Sequence, residues 1–146
     1  MEQEKQQDTS YKEQDLIIFQ EGLFGFEEYR KFLPVSAEEN SDSVIYLQSV
    51  EEEHLCFLAM NPFLLKDDYT PQLSEADRKA LKSDKEEDLS YYVLCVIKEP
   101  AEESTVNLKC PLVVNAITRE ARQVVLDSDQ YGLRHTLKEF SDKEGA

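Results

Sequence analysis

Apolar and polar residues alternate with a period of two through much of this chain. The clearest case runs from Ser104 to Asn115, where Val106, Leu108, Cys110, Leu112 and Val114 form one apolar row that Ala116 extends. A row of this kind is the mark of a half-buried strand. Its opposite row holds Asn107, Pro111 and Asn115, residue types depleted from sheet interiors. Apolar runs recur near residues 15–20, 31–35, 44–50, 55–60, 91–97, 104–109, 112–117 and 121–126. Short runs at this spacing, separated by turn residues, predict an antiparallel sandwich or barrel. The run Tyr91–Ile97 is apolar at every position and is expected to be covered on both faces.

Helical signals are sparse. Ser74 offers an N-cap hydroxyl, with Glu75 and Asp77 in the first turn, where the helix dipole favours acids. Leu73, Asp77, Ala80 and Leu81 would share one face, so this helix is expected on the surface. A second short helix is predicted after Gly25, over residues 26–31. Gly22 and Gly25 read as positions needing positive φ, in a segment whose three phenylalanines, Phe19, Phe24 and Phe26, need not all be buried. Asn61-Pro62 ends the strand before it, because proline cannot extend a ladder and Asn61 can bond its own backbone. Phe63, Leu64 and Leu65 then form an apolar cluster in a predicted loop, of the kind that marks an interface when exposed.

At 146 residues the chain is expected to be one domain, large enough to fold without metal or disulfide. Residues 1–14 read as a mobile polar tail, 15–140 as the folded domain and 141–146 as a disordered carboxyl-terminal tail. The fold predicted is therefore a mainly β, antiparallel, barrel-like single domain with one or two short surface helices. The net charge of −15 argues against direct nucleic-acid binding, which relies on Lys and Arg displacing counterions. It suits encounter with a basic protein. Cys56, Cys95 and Cys110 each lie inside an apolar run and read as reduced core thiols of a cytoplasmic protein. No stretch is long and apolar enough for a membrane span.

Candidate chemistry is thin. With only four glycines the chain has no phosphate-cradling loop. His54 and Cys56 would face the same side of a strand and could share a metal. Structural sites usually need four ligands, so a core thiol beside a surface imidazole is the expected reading. A Cys110–His135 pair is conceivable chemically, but Cys110 sits on the apolar row, where a thiol is inert. No catalytic residue, metal or cofactor is assigned. A small thiol- or metal-dependent hydrolase using His54, Cys56, Cys110 or His135 is the alternative from another class, and a purely structural β-domain is a third.

Several segments together resemble the flagellar assembly factor FliW family. Phe19–Phe26 looks like its glycine-phenylalanine turn, and Tyr46–Ser49 like the next strand. Asn61-Pro62-Phe63 with Asp68-Tyr69 matches the following loop. Lys98-Glu99-Pro100, Ser104–Leu108 and Pro111–Asn115 are similar to its central hairpin, and Gln123–Leu126 and Tyr131–His135 complete the series. The resemblance spans about residues 15–137. Two departures stand out: Cys110 replaces a frequent alanine, and the residues before Leu16 lack the family's threonine-x-phenylalanine-glycine opening strand. The resemblance implies a cytoplasmic, non-enzymatic partner switch that binds flagellin or, alternatively, the translational repressor CsrA, relieving repression of flagellin mRNA. A monomer is expected. Gln48, Asn61, Phe63, Asn107 and Asn115 are the expected partner contacts, being placed against the preferences of a plain sheet near edges that could accept a strand.

Overall fold

The computed structural model describes residues 12–38, 41–83 and 85–140. The strands are β1 (Ile17–Phe19), β2 (Lys31–Glu38), β3 (Ser41–Ser49), β4 (Cys56–Met60), β5 (Leu89–Val96), β6 (Thr105–Val106), β7 (Leu112–Asn115), β8 (Glu120–Gln123) and β9 (His135–Thr136). They join in the order β4-β3-β2-β1-β8-β7-β5-β6-β9, and a β4–β5 pairing closes the ring. The closed part has seven strands, with β6 and β9 extending one wall beyond it. Every pairing is antiparallel except that of β1 with β8.

Alternation sorts the apolar residues into two cores. Ile17, Phe19, Phe32, Ile45, Leu47, Ala59, Leu112, Val114 and Ala121 point into the barrel. Phe32 anchors this interior, with its ring edge-on to Phe19 at 5.6 Å and tilted against Phe57 at 5.9 Å. The opposite parity of β5 and β7, with Tyr91, Val93, Cys95 and Val113, packs outward against Tyr69, Leu81, Leu108, Val124, Leu126 and Tyr131. This outer layer is supplied by the connections between strands.

Two short helices lie in one of these connections, α1 (Pro62–Leu65) and α2 (Glu75–Leu81). Ser74 caps α2 as expected, its hydroxyl accepting from the Asp77 N–H at 3.0 Å. Helix α2 rests on the barrel wall through the fully buried Leu81 and an ion pair of Asp77 with Arg122. Its last carbonyls are held by barrel amides. The Asn115 side chain donates to the Leu81 carbonyl at 2.7 Å, and Gln20 donates to that of Ala80 at 2.6 Å.

Several expectations are corrected. No helix forms over residues 26–31. Gly22 and Gly25 adopt φ of 72° and 88°, as expected, but they fold the segment into turns closed by a Leu23–Phe26 bridge, and Lys31 already belongs to β2. The strand expected across residues 104–116 breaks at 107–111, where the Asn107 side chain accepts from the N–H groups of Lys109 and Cys110 and bends the chain. The apolar row stays buried through the bend as far as Val114, whereas Ala116 is exposed. The run Tyr91–Ile97 is covered on both faces only in its middle, since Val96 and Ile97 emerge into solvent. Cys95 and Cys110 are buried, but Cys56 is exposed on the outer side of β4. Of the expected polar tails, residues 1–11 and 141–146 lie outside the described residues, while Glu13–Asp15 form a 3-10 turn.

A candidate docking groove beside the Asn61–Phe63 turn

The end of β4 is shaped by three consecutive residues. Asn61 caps α1, its carbonyl oxygen accepting from the Phe63 N–H at 2.9 Å. Pro62 occupies the first helical position, where its missing N–H is harmless. This places Phe63 over two tyrosine rings, those of Tyr69 and Tyr91, each with its centroid 5.7 Å away. Phe63 remains 38% exposed and Leu64 is 67% exposed. What was expected as a loop cluster is thus a single helical turn that points Leu64 outward and packs Leu65 onto the outer core.

The aromatic base beneath Phe63 is fixed by hydrogen bonds. The Tyr69 hydroxyl donates to the Leu108 carbonyl at 2.8 Å, and the Tyr91 hydroxyl donates to Glu86 at 2.8 Å. Tyr131 stacks edge-on to Tyr69 at 4.8 Å and accepts from the Thr70 N–H. Burial raises the pKa values of the Tyr69 and Tyr91 hydroxyls, so both keep their donor protons at neutral pH. The Arg78 guanidinium, 2.9 Å away, holds the Glu86 carboxyl below its usual range, assisted by the Tyr91 hydroxyl. Between α1 and β5 this leaves a groove of about 380 Å³ lined by Asn61, Phe63, Leu64, Ser90 and Tyr92, with Ser43 at its edge. An open groove with an aromatic floor suits a protruding apolar side chain of another protein.

Only Asn61 and Phe63 among the expected contacts share this groove. Gln48 stands on the outer face of β3 between Leu33 and Cys56, and its amide donates to the carbonyls of Ser49, Glu53 and Leu55, holding the β3–β4 turn. Asn107 shapes the bend after β6. Asn115 is only 2% exposed, and besides the bond to Leu81 it accepts from the N–H groups of Ile117 and Thr118. These amides have internal partners. Leu64, expected as part of the apolar cluster, is the most exposed member of the groove, whereas Val35 and Tyr46, exposed apolar residues that face each other across β2 and β3, were not among the expected contacts. Continuous apolar runs could have flagged them, since a strand apolar on both rows carries one row outward.

The residues weighed for chemistry do not converge. His54 is exposed and contacts Glu52, while Cys110 is buried elsewhere. His135 accepts from the Gly132 N–H at its Nε2 and contacts Glu139 through Nδ1. Burial pushes the thiols of Cys95 and Cys110 up, away from the thiolate a nucleophile needs, and partial desolvation acts in the same direction on the Sγ of Cys56, whose residue is otherwise exposed. Among the described residues, no three His, Cys, Asp or Glu side chains are gathered as a metal site would require. No helix among them is long and apolar enough to cross a membrane.

The model of the family described as FliW protein matches residues 1–137. The flagellar assembly factor FliW of Shouchella clausii is 37% identical over 126 residues, covering 86% of each chain. That of Caldanaerobacter subterraneus subsp. tengcongensis is 36% identical, over 88% of this chain and 86% of its own length. That of Ruminiclostridium cellulolyticum is 35% identical, over 94% and 93%. A crystal structure of the flagellar assembly factor FliW superposes with a TM-score of 0.81 at 30% identity, over 88% of this chain and 89% of the other. The barrel, its outer layer and the Asn61–Phe63 turn thus belong to a chain that is a member of the FliW family.

Proposed function

We propose that this chain is a cytoplasmic flagellar assembly factor that acts by binding proteins, flagellin at one time and the repressor CsrA at another, with no bond made or broken. The observation that carries this reading is the family match across the entire barrel, to relatives named as flagellar assembly factors. The Phe63 groove supports it as a place where an apolar side chain of a partner can be received on a rigid aromatic floor. The net charge of −15 fits a protein that meets a basic RNA-binding repressor and does not itself compete for RNA. A monomeric chain suffices for this role. The raised thiol pKa values weigh against a thiol hydrolase.

Of the expected contacts, we assign Asn61 and Phe63, which line the groove, to direct partner contact; Gln48 holds the β3–β4 turn. Phe63→Ala is the test. Removing a ring that is partly exposed is expected to weaken binding of flagellin or CsrA by about tenfold or more, as for a central aromatic anchor. The midpoint of thermal unfolding should fall by only a few degrees, because part of the ring already faces water. Unchanged affinity for both proteins would remove the groove from the account.

A further inference from the structure

One row of directly paired residues crosses the outer side of β2, β3, β4, β5, β6 and β9: Val35, Tyr46, Leu58, Cys95, Val106 and His135. Its second half is covered by the outer core layer, in which Val106 is fully buried. The cover thins at the half-buried Leu58, and the row continues bare through Tyr46 and Val35, which are 43% and 44% exposed. Leu33 and Val44 flank them on the same face, half-buried. Gln48 fixes the end of this surface through its bonds to the β3–β4 turn. A solvated outer sheet face ordinarily alternates to polar residues; here the outward positions Leu33, Val35, Val44, Tyr46 and Leu58 are apolar.

The adjoining edge selects how a partner can use this surface. Strand β1 covers β2 only at Lys31 and Phe32. The Arg30 carbonyl points toward β1 and the Lys31 carbonyl toward β3, so by alternation the backbone polar groups of residue 34 face the uncovered side. That residue is Pro34, which has no N–H to offer, and the register shifts between Ser36 and Glu38. Proline and an irregular register blunt an edge against strand addition. Among the described residues no segment covers the apolar face at Val35 and Tyr46, and it suits an element that lies across the strands by its side chains. A second copy is opposed by charge, since two chains of net charge −15 would have to meet.

From these observations we infer that the outer face of β2, β3 and β4, centred on Val35 and Tyr46, docks a basic amphipathic helix of a protein partner. Apolar residues of the helix cover Val35 and Tyr46, and its Lys and Arg residues answer the exposed Glu51 and Glu53 of the β3–β4 turn, which Gln48 ties to the end of this face. This surface is distinct from the Phe63 groove. The inference rests on the reading of the chain as a partner-binding protein but not on either partner named for it.

The test uses a fluorescent Leu/Lys amphipathic helix about 18 residues long, a Leu/Glu helix of the same length, the intact chain and its Val35→Ser/Tyr46→Ser variant. The intact chain is expected to bind the Leu/Lys helix saturably and to ignore the Leu/Glu helix. The variant should bind about tenfold more weakly, a difference of ~1.4 kcal/mol. On the unsubstituted chain, amide NMR shifts on titration should cluster at residues 33, 35, 44–48 and 58, which decides the matter even if the variant fails to fold. Equal binding by chain and variant, with shifts scattered over the acidic surface, would overturn the inference. So would absence of saturable binding, or a dimer of the intact chain that the substitutions dissociate. Flagellin and CsrA take no part in these titrations, so their failure to bind would refute the proposed function separately.

Discussion

Gly22→Ala is expected to lower stability by about 3 kcal/mol or more, by two additive mechanisms. Gly22 has φ of 72°, a region where an L-residue costs ~1–2 kcal/mol. An added Cβ would also lie 2.6 Å from both the Cα and the carbonyl oxygen of Glu27. Backbone atoms cannot rotate aside as a side chain would, so the turn must open. That turn carries Leu23 into the barrel interior and positions the Phe24 N–H to donate to Gln123 at 2.8 Å. Gly25→Ala provides the control. Its φ is 88°, but no atom lies within 4 Å of the new methyl group, so only the backbone penalty of ~1–2 kcal/mol applies. Denaturant unfolding of the two variants checks this: equal losses would mean that the Glu27 contact is relieved without cost.

Phe32→Ala is the second large effect. The side chain is fully buried and links the rings of Phe19 and Phe57. Truncating a buried phenylalanine costs ~3–5 kcal/mol, the loss of transfer energy being joined by that of the cavity left behind. At this chain length each kcal/mol moves the unfolding midpoint by about 2–4 °C, so a fall of roughly 6–20 °C is expected by calorimetry. A fall of only two or three degrees would mean that the barrel interior collapses around the gap. Neither residue lies in the Phe63 groove or on the Val35–Tyr46 face, so both variants, if folded at low temperature, should keep partner binding.

The strands were legible because period-two alternation survives in the barrel interior. Even the bend at Asn107 left the row Val106–Val114 intact in its burial. Closure of the ring was not legible, since the β4–β5 pairing joins segments separated by a long connection without strand periodicity. That connection supplies the outer core through isolated residues such as Tyr69 and Leu81, which no local pattern announces. Asparagines gave an ambiguous signal. An amide in an apolar strand can serve a partner or close an internal gap, and at Asn115 the latch on α2 is what the position does. Asn61 was read correctly as a backbone cap because the adjoining proline fixes its local geometry. Val35 and Tyr46 escaped notice because their strands are apolar on both rows, which looks the same for a covered strand and for one awaiting a cover.

The central claim is that the chain works by being occupied in turn by two proteins. A calorimetric titration of the purified chain with flagellin, with CsrA, and with each in the presence of the other tests it most directly. The expected result is saturable binding to each, with one protein weakening or displacing the other, since a switch requires overlapping or negatively coupled sites. Failure to bind either at micromolar concentration, or simultaneous binding of both with undiminished affinity, would contradict it.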